Sequence, residues 1–243
     1  MGIVRERTSK AFEINDLAHV TKAWLDYYIA VNKEYILSES SVRMPISDYL
    51  AQYSGEVVLE KNIDAFKQRK FDLFFERNGC SNYFEFKYVQ PDYTKTGKEI
   101  QRFFNDLLRL KVMAQKWQTE CFLVVCGSKK DFFNEFMGNK GIDKNAFNPW
   151  HKPYCDRENI YRKMFRFEKG LIKYIDFNDI DIKNLKNNFL YGRDKYILSN
   201  EFCYIYPHFF DDFFYVKTTC ISLQIEDTSL SAVGIWKIED GIS

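Results

Sequence analysis

The stretch Lys70–Pro91, KFDLFFERNGCSNYFEFKYVQP, decides the fold class. It contains two aromatic-rich runs, about 70–76 and 82–89, separated by a polar turn carrying Asn78-Gly79. Aromatic residues favour extended backbone, and polar residues with Gly close a turn between two such runs. The stretch therefore predicts a β-hairpin. In a strand, successive side chains alternate faces. In the second run Phe84, Phe86 and Tyr88 point one way, and Tyr83, Glu85, Lys87 and Val89 the other.

Upstream, Leu17, Val20, Trp24, Tyr27, Tyr28 and Val31 follow helical spacing and predict a helix from Asn15 to about Lys33, with Asn15 or Asp16 as its cap. A short helix is expected near Ile46–Gln52, after Pro45, and a short strand around Glu56–Glu60. Downstream, Asp92–Lys98 reads as a loop. Ile100, Phe103, Phe104, Leu107, Leu110, Ala114 and Trp117 mark an amphipathic helix over roughly 98–118. CFLVVCG, ending at Gly127, reads as a strand buried on both faces. The order is helix, three strands, helix, strand (αβββαβ), and the second long helix should cross over to a parallel neighbour.

Beyond Gly127 the pattern is weaker. Residues 129–138 read as helical and 139–170 as loop-rich. KYILSNEFCYIYP, FFYVKTTCISLQIED and AVGIWKIE read as strands, the last two forming a hairpin across Asp227–Ser231, with Trp236 in the core. The expected class is α/β with a mixed sheet. It divides into a core over 1–127 and a β-rich α+β C-terminal extension, 128–243, packed on that core.

Composition narrows the function. The chain has 243 residues, 46% hydrophobic and 28% charged, enough for a sizeable core without staples. No apolar run approaches the roughly 20 residues that span a bilayer, and MGIVRERTSK is followed by no apolar segment of the kind an export signal has. A cytoplasmic protein without a membrane partner is expected. The six cysteines form no CxxC pair and there are three histidines, so a zinc site is not expected and free thiols are. Phe, Tyr and Trp make up 18%, and most of these rings should fill the core. With 35 Lys+Arg against 34 Asp+Glu, a globally basic nucleic-acid coat is excluded. Charge is nevertheless uneven: net −2 over residues 1–94, +7 over 95–169 and −4 over 170–243. A basic middle segment suits a polyanion or is plain solvated surface.

The hairpin carries the chemistry. Glu85 and Lys87 leave one strand side by side, and Asp72, near the start of the preceding strand, lies opposite them across the turn. Two carboxylates are hard oxygen ligands suited to Mg²⁺ (or Mn²⁺) with water completing the shell. Such a metal acidifies a coordinated water and polarises a phosphate, while a lysine orients the water or offsets developing charge. Acidic-x-Lys alone is not specific. It recurs at Asp181-Ile182-Lys183, in a polar stretch without strand context that reads as surface.

Asp72, twelve intervening residues and then Glu85-Phe86-Lys87, set in the αβββαβ order over about 15–127, resemble the PD-(D/E)xK nuclease superfamily and its restriction-endonuclease-like core. Phe71 stands where the named motif has Pro. The resemblance implies a Mg²⁺- or Mn²⁺-dependent endonuclease, a hydrolase of DNA phosphodiesters with RNA not excluded. It implies a restriction or phage-defence setting and a possible homodimer. Asp72 and Glu85 would hold the metal with an acidic residue from the first helical region, Glu39 foremost and Glu60 or Glu34 otherwise. Lys87 would assist the attacking water. Lys98, Arg102 and Arg109, at or on the helix after the motif strand, are the candidate nucleic-acid contacts, with a plain solvated face as the alternative reading. The competing reading makes Glu85 and Lys87 an exposed charged stripe and Asp72 a turn residue. A second function class is a catalytically inactive module of this fold that binds nucleic acid or a protein.

Overall fold

A computed structural model describes residues 12–53, 55–63, 70–91, 97–117, 119–138, 160–191 and 216–240. Helices α1 (Ile14–Ala30) and α2 (Glu39–Leu50) lead into strands β1 (Glu56–Asn62), β2 (Lys70–Arg77) and β3 (Cys80–Val89). Helix α3 (Gly97–Trp117) and strand β4 (Glu120–Ser128) follow. A short turn of helix, α4 (Lys129–Asp131), runs into a π-helical turn, Phe132–Phe136. Then come α5 (Ile160–Met164), β5 (Ile172–Tyr174), α6 (Ile180–Tyr191), β6 (Val216–Gln224) and β7 (Ser231–Asp240).

The seven strands form one mixed sheet in the order β1-β2-β3-β4-β7-β6-β5. β3 and β4 are parallel, Asn82 opposite Glu120 through Val89 opposite Gly127, with α3 as the connection. The other neighbours are antiparallel. The C-terminal strands therefore continue the N-terminal sheet rather than forming a layer on it, β7 pairing with β4 along seven residue pairs. Helices cover both faces. On one side Phe103, Phe104, Leu107 and Leu110 of α3 pack with Tyr83, Leu123, Val125 and Trp236. On the other, Leu17 and Leu25 of α1 and Val42 and Ile46 of α2 pack with Phe84, Phe86, Val124 and Ile235. A strand enclosed from both faces reads as a continuous apolar run, as β4 does.

The hairpin is as the Asn-Gly pair predicts. Asn78 and Gly79 have φ of 53° and 76°, the two positive dihedrals a two-residue hairpin turn requires. Other expectations shift. α2 starts at Glu39, before Pro45 rather than after it. Ser38 caps it, accepting from the Ser41 N–H at 3.2 Å while the Ser41 hydroxyl accepts from the Ser38 N–H at 2.8 Å, and the proline is accommodated inside. Asn15 does not cap α1. Its side-chain oxygen accepts from the Ser222 hydroxyl at 2.7 Å, tying α1 to a bulge in β6. Asp181 is not surface: it lies in the first turn of α6, is buried and pairs with Lys163 at 2.9 Å. The expected strand KYILSNEFCYIYP and most of the loop 139–170 lie outside the described residues. Trp236 is fully buried and is braced by Phe136 and Phe165. Gly234 leaves room for the indole, since a Cβ there would meet the ring at 2.2 Å. No described helix is long and apolar enough to cross a membrane.

Candidate active site

The β2–β3 ladder stops early. Pairing runs from Arg77/Cys80 to Leu73/Phe84, after which β2 continues beside β1 alone. Asp72 sits at the break. Its Oδ2 accepts from the Phe86 N–H at 2.8 Å, replacing the strand carbonyl that a continuing ladder would offer. Face alternation also slips here: Phe71 and Phe74 lie on the α3 side, Leu73 and Phe75 on the α1/α2 side. Opposite, Glu60 of β1 adopts a left-handed φ of 55° between the Leu59–Leu73 and Lys61–Phe71 pairs.

Both helical layers reach this break. Glu39 and Arg43 lie four residues apart, on one face of α2. Arg43 Nη1 approaches Asp72 Oδ1 at 3.2 Å and Glu60 at 3.7 Å, and its Nη2 donates to the Ser40 hydroxyl at 2.8 Å. Glu39 Oε1 lies 3.4 Å from Lys87 Nζ. From the other layer, Asp106 and Arg109 lie three residues apart on α3. Lys87 Nζ is 2.6 Å from Asp106 Oδ2. Arg109 Nη2 is 2.6 Å from both Asp106 Oδ1 and Glu85 Oε1, and Nη1 donates to the Lys70 carbonyl at 3.1 Å. The Phe71 ring lies under the guanidinium, 5.1 Å away.

The charged groups thus form two adjoining sets, Asp72–Arg43–Glu60 and Glu39–Lys87–Asp106–Arg109–Glu85, which meet where Asp72 bonds the Phe86 N–H between Glu85 and Lys87. Together they make up the cluster at the break. Glu85 is 2% and Lys87 6% exposed. The exposed-stripe reading of these two residues is overturned by that burial, because charges this enclosed persist only when paired. Burial pushes the Glu85 carboxyl well above the usual carboxylate range, helped by Asp106 and Asp72 and opposed by Arg109 and Lys87. Burial likewise raises Glu39, with Asp106 and Asp72 adding and Lys87 opposing. Burial acts to raise Asp106 too, but Lys87 and Arg109 together hold it below its ordinary value. Arg109 is raised despite its burial, by Glu85 and Asp106. Carboxylates driven apart in this way mark a functional-site candidate.

Comparison with models of known families, with curated proteins and with solved structures found no match.

Of the residues singled out from sequence, Asp72, Glu85, Lys87 and Glu39 come together in this cluster. Arg109 joins them, but turned inward. It supports two carboxylates and is 5% exposed, so it is a scaffold for the acids and not the phosphate contact expected. Arg102 is exposed and pairs with Glu99 at 2.6 Å. The Lys98 side chain lies outside the described ones. Glu60 is half exposed and bonds Lys70 at 3.1 Å, and Glu34 lies in the 3-10 turn Glu34–Ile36. Asp106 and Arg43 were missed by the sequence reading. Asp106 was detectable as an acid within the buried run of α3 that includes Phe103, Phe104, Leu107 and Leu108, and Arg43 as the residue one turn beyond Glu39.

Among the described residues no group of three or more His, Cys, Asp or Glu side chains is close enough to hold a metal ion. The donor chemistry still fits Mg²⁺, which needs only one or two protein carboxylates and fills its shell with water and substrate oxygens. Asp72 and Glu85 would be the donors for such an ion, which would compete with Arg43 and Arg109 for them.

Proposed function

We propose that the chain is a Mg²⁺-dependent nuclease of the PD-(D/E)xK type, built on a restriction-endonuclease-like core and hydrolysing DNA phosphodiesters. The observation that carries this reading is the convergence of Asp72, Glu85 and Lys87 on one break in the sheet, with Glu39 reaching it from α2. A bound Mg²⁺ would acidify a water and take up charge on the phosphate. Asp72, fixed by the Phe86 N–H, and Glu85, fixed by Arg109, would present oxygens of set orientation to that ion. The Lys87 ammonium would hydrogen-bond the attacking water or the oxygen that gains charge. Arg43, the least enclosed of the three cations, would pass to a substrate phosphate once Asp72 is otherwise engaged.

The test is cleavage of plasmid and single-stranded DNA, with RNA alongside, in Mg²⁺ or Mn²⁺. The wild type is compared with Asp72→Asn and Lys87→Ala; asparagine keeps an acceptor for the Phe86 N–H while removing the charge. Losses of roughly 10²–10⁴-fold in both variants are expected, the range for removal of an acid–base or charge-stabilising group. The cation-closed state of the cluster favours one other reading, a non-catalytic nucleic-acid or protein-binding module. That reading prevails if the wild type cleaves no substrate, or if wild type and variants cut alike.

A further inference from the structure

Asp106 touches two cations of the cluster at once. Oδ2 is 2.6 Å from Lys87 Nζ and Oδ1 is 2.6 Å from Arg109 Nη2. The same Nη2 is 2.6 Å from Glu85 Oε1. The result is an alternating chain, Glu39–Lys87–Asp106–Arg109–Glu85, running from α2 through β3 and α3 and back to β3. Lys87 and Glu85, two residues apart on one strand face, would approach each other freely were both not held by α3. Their spacing is instead fixed through the carboxylate of Asp106 and the planar guanidinium of Arg109. A fork of fixed donors orients a carboxylate more tightly than a flexible ammonium does.

We propose that Asp106 is a positioning residue for the hydrolysis inferred above: it clamps the Lys87 ammonium and, through Arg109, the Glu85 carboxylate, so that both face one reacting phosphate. This rests on the nuclease reading. Asp106 has no need to touch substrate or metal. It belongs to the shell that orients the reacting groups, where a substitution typically costs about 10–100-fold.

The experiment is a kinetic cycle on the full chain with Mg²⁺ and a DNA substrate. Asp106→Asn keeps the shape but offers one acceptor where two are needed. It is expected to lower kcat roughly 10–100-fold with KM for DNA within about twofold. In a Lys87→Ala background the same change is expected to lower kcat no further, because groups acting through one another are not additive. Asp106→Glu keeps the charge of the clamp and should fold if the Asn variant does not; its kcat is expected between the wild type and Lys87→Ala. A folded Asp106→Asn with wild-type kcat, or losses that add in full to those of Lys87→Ala, would overturn the clamp while leaving the nuclease reading intact. A wild type that cleaves nothing removes both.

Discussion

The two halves of the sheet solve the burial of polar groups in opposite ways. On β6 and β7 the enclosed polar side chains are neutral hydroxyls, each with a partner. Thr218 donates to the Met164 carbonyl at 2.7 Å, Ser222 to Asn15 at 2.7 Å and Ser231 to Asp26 at 2.6 Å. Around them Trp236, Phe136, Phe165 and Phe103 meet edge-on and tilted. In the β2–β3 half, full charges are buried and the strand ladder is interrupted to admit them. Buried ion pairs are weak as stabilisers compared with apolar packing. A sheet that concentrates them on one pair of strands and, among the described side chains, keeps buried charge off another pair gives up stability at the first. Such a concession is the usual signature of a working site.

The largest test of this contrast is to open one pair. Arg109→Ala leaves Glu85 and Asp106 without their shared partner and should cost about 3–5 kcal/mol in denaturant unfolding. Replacing Glu85 and Arg109 together by Leu and Met should recover much of that loss while leaving no activity. If the double variant is no more stable than Arg109→Ala, the β2–β3 half is not the concession described. In the apolar half, Trp236→Ala should cost about 3–5 kcal/mol through the cavity it leaves, and no second substitution at a charged site should restore it.

Next in size is pH. Glu85 is raised well above its ordinary value and Glu39 is raised. In the proposed reaction the metal would need Glu85 ionised, and the pair with Lys87 would need Glu39 ionised. Initial rates should therefore climb with pH through a midpoint above the ordinary carboxylate range, and Glu39→Gln should remove its share of the climb. A rate flat across that interval would disconnect these acids from catalysis. On the β7 side the same variable should act on stability, with the opposite sign of shift. The Asp26 carboxyl is lowered, burial notwithstanding, because Ser231 and Lys22 favour its ionised form. Its contribution is present above the ordinary aspartate value and is lost as pH falls through the lowered one. Asp26→Asn should flatten that acid limb, an effect of about 1 kcal/mol once screening by the water that still reaches the group is allowed for. Smallest is Arg102→Ala. Its pair with Glu99 is exposed at the surface and should be worth under about 1 kcal/mol. A large loss of DNA affinity in this variant, read by anisotropy against salt, would instead make it a phosphate contact.

Much of the fold was legible because its signals are local. Asn78-Gly79 sets the hairpin and the apolar run of β4 shows double-sided burial. The period of α3 identifies the crossover helix. What escaped depends on partners distant in sequence. Nothing near Asn15 announces that Ser222, two hundred residues on, takes its side chain away from capping. The strand β5 is three residues long and exists because β6 lies beside it. The same divide holds at the site. Glu85 and Lys87 follow from two-residue alternation within one strand. The inward turn of Arg109 is set by three elements at once, β2 through the Lys70 carbonyl, β3 through Glu85 and α3 through Asp106, and local pattern is silent on it.

The slit that Asp72 opens in the hydrogen-bonded ladder has an evolutionary corollary. One carboxylate there holds the backbone and, in the proposed nuclease, would also serve the chemistry, so the position would not be free to wander through the small polar alphabet. Serine is too short to bridge to the Phe86 amide, and glutamate would overshoot it. Asparagine alone would keep the seam stitched while silencing the charge. A descendant of this chain that had lost the charge and kept its architecture would be expected to carry that residue.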